Sequence, residues 1–138
     1  MKQTHVLFLC VANSARSQMA EGLARSIFPA YVRVSSAGSQ PGSLNPFAVK
    51  ALGEIGIDIS SHFSKSVRNI EQASVDTVVT LCAEEVCPVF GKAVERIHWG
   101  LPDPAAAEGT EGQILAQFRE IRDELEKRLR EFSRRFGQ

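Results

Sequence analysis

Near its start the chain passes from a short apolar run into a polar loop and then into a segment with helical periodicity. The run His5–Leu9 is nearly all apolar, as expected of a strand in the centre of a parallel sheet. Apolar residues recur at helical spacing over Ser17–Phe28, which predicts a helix. The connection between them begins at Cys10. This order predicts a βα unit, and therefore an α/β fold.

The rest of the chain continues the alternation of strands and helices. Further strands are predicted at Tyr31–Ser35, Val75–Leu81 and Arg96–Trp99, a helix from Pro46 to about Leu52 capped by Asn45, and a helical turn at Ile70–Ala73. The last helix, Glu111–Phe136, has a stripe with steps of three and four: Ile114, Phe118, Ile121, Leu125, Leu129, Phe132 and Phe136. We therefore predict one domain, 1–138, with a four-stranded, mostly parallel sheet and helices on both faces.

Composition and charge restrict the function. The chain has 16 basic and 16 acidic residues, so its net charge of zero does not indicate a nucleic-acid partner. No apolar run is long enough to span a bilayer or to serve as a secretory signal, so we expect no membrane partner and a cytoplasmic, reducing location. Residues 1–69 carry 7 Lys/Arg against 3 Asp/Glu, which suits an anionic substrate.

The residues from Cys10 to Ser17 are typical of a site for a tetrahedral anion. The residues whose backbone N–H groups can converge on the anion are Val11, Ala12, Asn13, Ser14, Ala15, Arg16 and Ser17. Arg16 can hold two anion oxygens and, with the helix dipole, stabilise the Cys10 thiolate. Ser17 can donate to the sulfur, and Asn13 suits a sharp left-handed turn. We predict that Cys10 is a nucleophile against a bound oxyanion.

Two more cysteines, Cys82 and Cys87, complete an odd total of three. Cys82 follows the predicted strand Val75–Leu81, so it should lie at the same sheet edge as Cys10. An odd number argues against a structural disulfide framework and leaves reactive thiols, buried thiols or a metal pair. No metal site is predicted, because none of the histidines has ligand-like spacing to the pair: His5, His62 and His98.

The segment Cys10-x-x-Asn13-Ser14-x-Arg16-Ser17-Gln18-Met19-Ala20-Glu21-Gly22 resembles the low-molecular-weight protein tyrosine phosphatase superfamily. More narrowly, it is similar to the thioredoxin-coupled arsenate reductases of that superfamily. The other matching segments are Ser36–Gly38, Gly56–Ser60, Thr80–Cys82, Cys87-Pro88, His98–Gly100 and Asp103-Pro104. Together they cover nearly the whole chain.

The resemblance implies that the chain reduces arsenate to arsenite through a relay of three thiols. Cys10 would attack arsenate while Asp103, held in a proline-flanked loop, protonates the departing hydroxyl. Cys82 and then Cys87 would take over the oxidation as successive disulfides, and thioredoxin would reduce the last one. Phosphate and sulfate would bind as analogues of arsenate. No tightly bound cofactor is implied.

The spacing of Cys82 and Cys87 restricts the relay. In a regular helix their Cα atoms would be about 8.6 Å apart, and disulfides rarely span more than about 7 Å. Pro88 also biases Cys87 away from helical angles. We predict a mobile redox segment, Cys82–Val89, that loses helical structure on oxidation. Its cysteine spacing is shorter by about two residues than is usual in the arsenate reductases that the chain resembles.

Many members of this superfamily hold a potassium ion near the anion loop. The residues that match their ligands are Asn13, Glu21 and Ser36, but Lys65 stands where those members have an acid. We predict that the Lys65 ammonium takes the place of the cation beside Glu21.

Two other functions remain open. The first is a low-molecular-weight tyrosine phosphatase that hydrolyses phosphomonoesters through a Cys10 phosphocysteine. No Tyr follows Asp103, where Ala105–Ala107 stand, and this favours a small inorganic oxyanion with weak phosphatase activity on the side. The second is a non-catalytic module that binds anions or senses redox state. The electron donor is also open between thioredoxin and glutaredoxin.

Overall fold

The computed structural model describes residues 4–82 and 94–137. Its strands are β1 (Thr4–Cys10), β2 (Val32–Gly38), β3 (Thr77–Thr80) and β4 (Glu95–His98), and its α-helices are α1 (Arg16–Ile27), α2 (Pro46–Gly53) and α3 (Glu111–Phe132). All strand pairs are parallel, in the order β2-β1-β3-β4. The predicted α/β fold with a four-stranded parallel sheet is confirmed. Within the described residues, no helix has the length and apolar character needed to cross a membrane.

The central strand β1 is buried on both faces of the sheet. Val6 and Phe8 belong to a large apolar cluster to which all three α-helices contribute. Leu7 and Leu9 point to the other face and belong to a smaller cluster, which includes Val67 of a 3₁₀ turn. Among the described residues, one face is therefore covered by the α-helices and the other in part by this turn.

The two later helices begin where the sequence predicts. Asn45 caps α2 by accepting a hydrogen bond from the Phe47 N–H at 2.8 Å, and Thr110 caps α3. The predicted end of the last helix is wrong by one turn, because residues Ser133–Phe136 are 3₁₀. The Ser133 hydroxyl donates to the Arg130 carbonyl at 2.8 Å, and such a bond competes with regular α-helical pairing.

The prediction for the segment before β3 needs correction. The helical turn predicted at Ile70–Ala73 is replaced by two 3₁₀ turns, Val67–Asn69 and Gln72–Ser74. The second turn closes through a hydrogen bond from the Val75 N–H to the Gln72 carbonyl at 3.2 Å. Val75 is therefore used by the turn, and β3 is shorter than the predicted Val75–Leu81.

An ion cluster joins α2 to α3. Glu54 contacts Arg119 at 2.6 Å and Arg122 at 2.9 Å. Hydrogen bonds and charge from these two guanidinium groups, led by the bond from Arg119, lower the pKa of Glu54 to about 2. Arg122 also donates to the Ala51 carbonyl at 2.9 Å. These contacts fix α2 against α3.

The parallel topology brings two cysteines to one sheet edge. Leu9 pairs with Thr80 in the β1–β3 ladder, and the Leu81 N–H continues it by donating to the Leu9 carbonyl at 2.9 Å. Cys10 ends β1, and Cys82 lies two residues beyond the end of β3. This is the edge where α/β proteins bind ligands.

Candidate active site

Six of the residues 10–17, here called the oxyanion loop, line a pocket of ≈ 160 Å³ at this edge, whereas Asn13 and Ser17 do not line it. Three loop carbonyls point outward and accept hydrogen bonds from the segment 40–45: Val11 from Gln40 at 3.0 Å, Ala12 from Gly42 at 2.9 Å and Ser14 from Asn45 at 2.9 Å. Within residues 4–82 and 94–137, four loop N–H groups donate to no protein acceptor: Val11, Ala12, Ser14 and Ala15. All four of these residues line the pocket. The loop backbone is therefore arranged to bind an anion.

Gly38, the last residue of β2, lies directly against this loop. A Cβ at this position would overlap the carbonyl group of Val11. The Gly38 N–H also donates to the Lys65 carbonyl at 2.9 Å, so the residue is held on both sides. Any side chain here would displace the oxyanion loop.

Cys10 is 3 % exposed, and its sulfur has two hydrogen-bonding partners on the loop. The Asn13 N–H donates to Sγ at 3.3 Å, and the Ser17 Oγ lies 2.9 Å from Sγ. Asn13 Nδ2 donates to the Ser17 Oγ at 2.7 Å, so the Ser17 proton is available to the sulfur. Both contacts place a hydrogen-bond donor on the sulfur. Asn13 has a φ of 50°, which confirms the predicted left-handed turn.

Arg16 and Asp103 line the same pocket as Cys10. Arg16 Nη1 donates to the carbonyls of Leu81 at 3.3 Å and Leu101 at 3.0 Å, which aims the guanidinium across the pocket. Its Nη2 lies 3.7 Å from Asp103 Oδ2. Asp103 Oδ1 accepts from the Ala105 N–H at 3.0 Å, and this cap fixes the carboxylate. The arrangement can bind a tetrahedral anion and protonate a group that leaves it.

The other predicted redox residues are only partly within the described chain. Cys82 is 1 % exposed, and neither it nor Cys10 is in a disulfide. Cys87 lies outside the described residues, as does most of the segment Cys82–Val89. The predicted loss of helical structure in that segment stays a prediction.

Behind the loop, the buried Glu21 carboxylate collects several polar partners. Ser36 Oγ donates to its Oε1 at 2.5 Å, and Arg25 pairs with its Oε2 at 2.7 Å. Lys65 Nζ lies 3.6 Å from Oε1 and donates to the Phe63 carbonyl at 3.1 Å. Lys65 thus places a cation beside Glu21. In the described part of the chain, no group of three or more His, Cys, Asp or Glu side chains could hold a metal ion.

The residues that support the loop from behind have no role that the sequence pattern predicts. Gln18 is fully buried, and its amide reaches Asn13 and the segment 62–65. Ser64 Oγ donates to the Asn13 carbonyl at 2.7 Å. The only signal in the sequence is the presence of Gln18 in the motif that carries the resemblance.

The sequence matches the family "Low molecular weight phosphotyrosine protein phosphatase" over residues 5–138, and the chain belongs to this family. Its relatives include the arsenate reductases of Halalkalibacterium halodurans and Bacillus subtilis, each 46% identical over 135 residues that cover 96% of this chain and 97% of the relative. The resemblance predicted from the motifs is confirmed.

Solved structures agree with this assignment. An arsenate reductase in its phosphate-binding state superposes with a TM-score of 0.80 at 31% identity, covering 96% of this chain and 98% of the other. A thioredoxin-dependent arsenate reductase from Corynebacterium glutamicum gives a TM-score of 0.75 at 30% identity, covering 98% of this chain and 63% of the other.

Proposed function

We propose that the domain 1–138 reduces arsenate to arsenite in the cytoplasm with electrons from thioredoxin. The observation that carries the proposal is a second buried thiol, Cys82, at the sheet edge that bears the Cys10 oxyanion loop. Hydrolysis needs one nucleophile, whereas reduction needs further thiols to supply two electrons. The names of the relatives support the same reaction.

In the proposed complex, arsenate enters the pocket of the oxyanion loop. The inward N–H groups and the Arg16 guanidinium neutralise its oxygens. The outward carbonyls are already paired, so the loop needs no rearrangement to receive the anion.

The first step is a substitution at arsenic. The Cys10 thiolate attacks, an S–As bond forms and one As–O bond breaks. Asp103 gives its proton to the departing hydroxyl, which leaves as water. Arsenic keeps its oxidation state in this step.

The second step transfers electrons. The Cys82 thiolate attacks Cys10 Sγ, an S–S bond forms and the S–As bond breaks with its electron pair moving to arsenic. Arsenic is reduced from five to three, and arsenite leaves with a proton from solvent. Cys87 then attacks Cys82 Sγ and releases the Cys10 thiolate. The Cys82–Cys87 disulfide is reduced by the two thiols of thioredoxin.

The proposal includes no metal cofactor and no dependence on potassium. The Lys65 ammonium supplies a positive charge beside Glu21, and Arg25 and Ser36 take the other hydrogen-bonding positions of that carboxylate. A mobile cation at this place would meet the charge of Lys65.

The test is arsenate-dependent NADPH oxidation in the presence of thioredoxin and thioredoxin reductase. We expect Cys10→Ser, Cys82→Ser and Cys87→Ser each to reduce turnover to background. In a single turnover without thioredoxin, Cys87→Ser should still release one arsenite per chain, whereas Cys10→Ser should release none. If only Cys10→Ser abolished turnover, the three-thiol mechanism would be wrong.

Hydrolysis of phosphomonoesters is the second candidate, because Cys10, Arg16 and Asp103 line one pocket. The groove beside Asp103 has small walls, formed among others by Pro102, Pro104, Ala106 and Ala107, and none of the described residues that line it is aromatic. These residues offer an aryl phosphate no ring to stack on. We expect weak hydrolysis of p-nitrophenyl phosphate; a rate above that of arsenate reduction would reverse the order of the two functions.

A further inference from the structure

Gln18, in the first turn of α1, has no exposed surface and uses both ends of its amide. Nε2 donates to the Phe63 carbonyl at 2.8 Å and lies 3.0 Å from Asn13 Oδ1 and 3.2 Å from the Asn13 carbonyl. Because backbone carbonyls only accept, the nitrogen must face them. The opposite atom, Oε1, lies 3.0 Å from His62 Nδ1, which must then be the donor.

The side-chain amide of Asn13 is oriented by the same logic. Its Oδ1 accepts from the Lys65 N–H at 2.9 Å and from Gln18, so two donors face one acceptor. Turning the amide over would place its NH₂ group against both donors. Nδ2 is therefore directed to the Ser17 Oγ, which leaves the Ser17 proton for the Cys10 sulfur.

We propose that Gln18 is a positioning residue for the nucleophile. It holds the left-handed Asn13 in place, and through Asn13 and Ser17 it directs a proton toward Cys10 Sγ. This inference rests on the proposed role of Cys10 as the nucleophile, and it adds a residue to which the motif alone gives no task. The loop is thus supported by a chain of contacts that begins at His62.

The hydrogen-bond chain from His62 to Cys10 does not depend on a change in protonation of the charged groups near its two ends. Burial lowers the pKa of His62, and Arg25 and Lys65 act in the same direction, while Glu21 and Asp58 oppose them. Protonation would occur at Nε2, and Nδ1 would still donate to Gln18. At the other end, Arg16 and Asp103 line the Cys10 pocket and are not altered by a change at Gln18.

The test measures alkylation of Cys10 by iodoacetamide as a function of pH, in a chain in which Cys82→Ser and Cys87→Ser leave one thiol. Gln18→Met keeps the side-chain length and removes the amide. We expect the midpoint of the alkylation profile to move up by about one pH unit, and the rate on the acidic side to fall about tenfold. Gln72→Met, at an exposed glutamine far from the loop, is the matched control and should change neither.

An unchanged profile in folded Gln18→Met, checked by thermal unfolding, would overturn the proposal. If this variant does not fold, His62→Ala decides, because it removes the donor to Oε1 and leaves the buried amide in place. It should lower the acidic-side rate about two- to threefold, and no change there would also overturn the proposal. Alkylation requires neither arsenate nor thioredoxin, so failure of arsenate reduction would count against the proposed function alone.

Discussion

The two ends of β1 both bury polar side chains, but only one end leaves donors for a ligand. At the amino end, His5 Nδ1 lies 3.1 Å from Ser74 Oγ and Nε2 lies 2.8 Å from Ser35 Oγ. The His5 N–H donates to Asp76 Oδ2 at 2.9 Å. Every polar atom of this histidine has a protein partner. A cluster of this kind stabilises the fold and offers nothing to a substrate.

At the carboxyl end, the partners are divided between two sides. The outward carbonyls of the oxyanion loop are bound by the segment 40–45, while inward N–H groups line the pocket. Burial of polar groups therefore does not by itself identify a binding site. A binding site is indicated by hydrogen-bond donors that the fold orients without pairing them to protein acceptors.

Arg16→Lys should have the largest effect on activity. Lysine keeps the charge but loses the guanidinium whose Nη1 donates to two carbonyls, and with it the two-point contact proposed for the anion. We expect kcat/KM for arsenate to fall by about 10² to 10³. Arg33→Lys, on β2 near the amino end of the sheet, is the matched control and should leave the steady-state rate unchanged. Equal losses of activity in both variants would contradict the functional difference between the two ends of the sheet.

Asp103→Asn and Asp76→Asn compare the same substitution at the two ends of the sheet. In Asp103→Asn the new side-chain amide can still cap the turn at Pro104–Ala106. It cannot transfer a proton to the leaving hydroxyl as a carboxylic acid does. We therefore expect kcat to fall about 10²-fold, with little change in the free energy of unfolding. Asp76→Asn should keep its activity and lose about 1 kcal/mol of stability. Activity assays and urea unfolding of both variants measure this; the reverse assignment of effects would contradict it.

His5 should make the amino end sensitive to acid. Burial lowers the pKa of His5 below its ordinary value of 6.5, with Arg33 adding to the effect and Asp76 opposing it. Protonation thus favours the unfolded chain, so this contribution to stability is complete above pH 6.5 and is lost as the pH falls below it. Urea unfolding between about pH 7.5 and pH 5 should show a weaker pH dependence in His5→Gln than in the natural chain, and identical slopes would refute this.

The smallest effect should be that of potassium. With the Lys65 ammonium beside Glu21, exchange of KCl for NaCl at constant ionic strength should change kcat/KM by less than about twofold. Lys65→Met, which removes the charge and keeps the length, is the informative comparison. A strong preference of the natural chain for potassium would contradict the proposed role of Lys65.

The parts of the fold that the sequence predicts are those with local signals. An apolar run, a loop and a helical stripe are enough to place β1 and α1, and Asn45-Pro46 is enough to start α2. The errors occur where a local bond competes with a regular element. At Ser133 the last predicted turn of the final helix becomes 3₁₀. Val75, which the apolar pattern assigned to β3, instead closes the turn before that strand.

The candidate site also has one part that local sequence signals predict and one part that they do not. The loop motif gives Cys10, Arg16 and Ser17 from spacing alone, because they lie within a few residues of each other along the chain. The support by Gln18, Ser64 and Lys65 depends on contacts between segments far apart in the sequence, as between Asn13 and Lys65. Such pairs have no local pattern in the sequence, since only the folded chain brings their members together.

The proposed recognition of the anion through the main chain of the oxyanion loop has a consequence for selectivity. Backbone donors and one guanidinium read the shape and charge of a tetrahedral anion, and arsenate and phosphate share both. Phosphate would therefore compete with arsenate for this pocket. Discrimination between the two anions would then arise after binding, in the lability of the bond that each anion forms with sulfur.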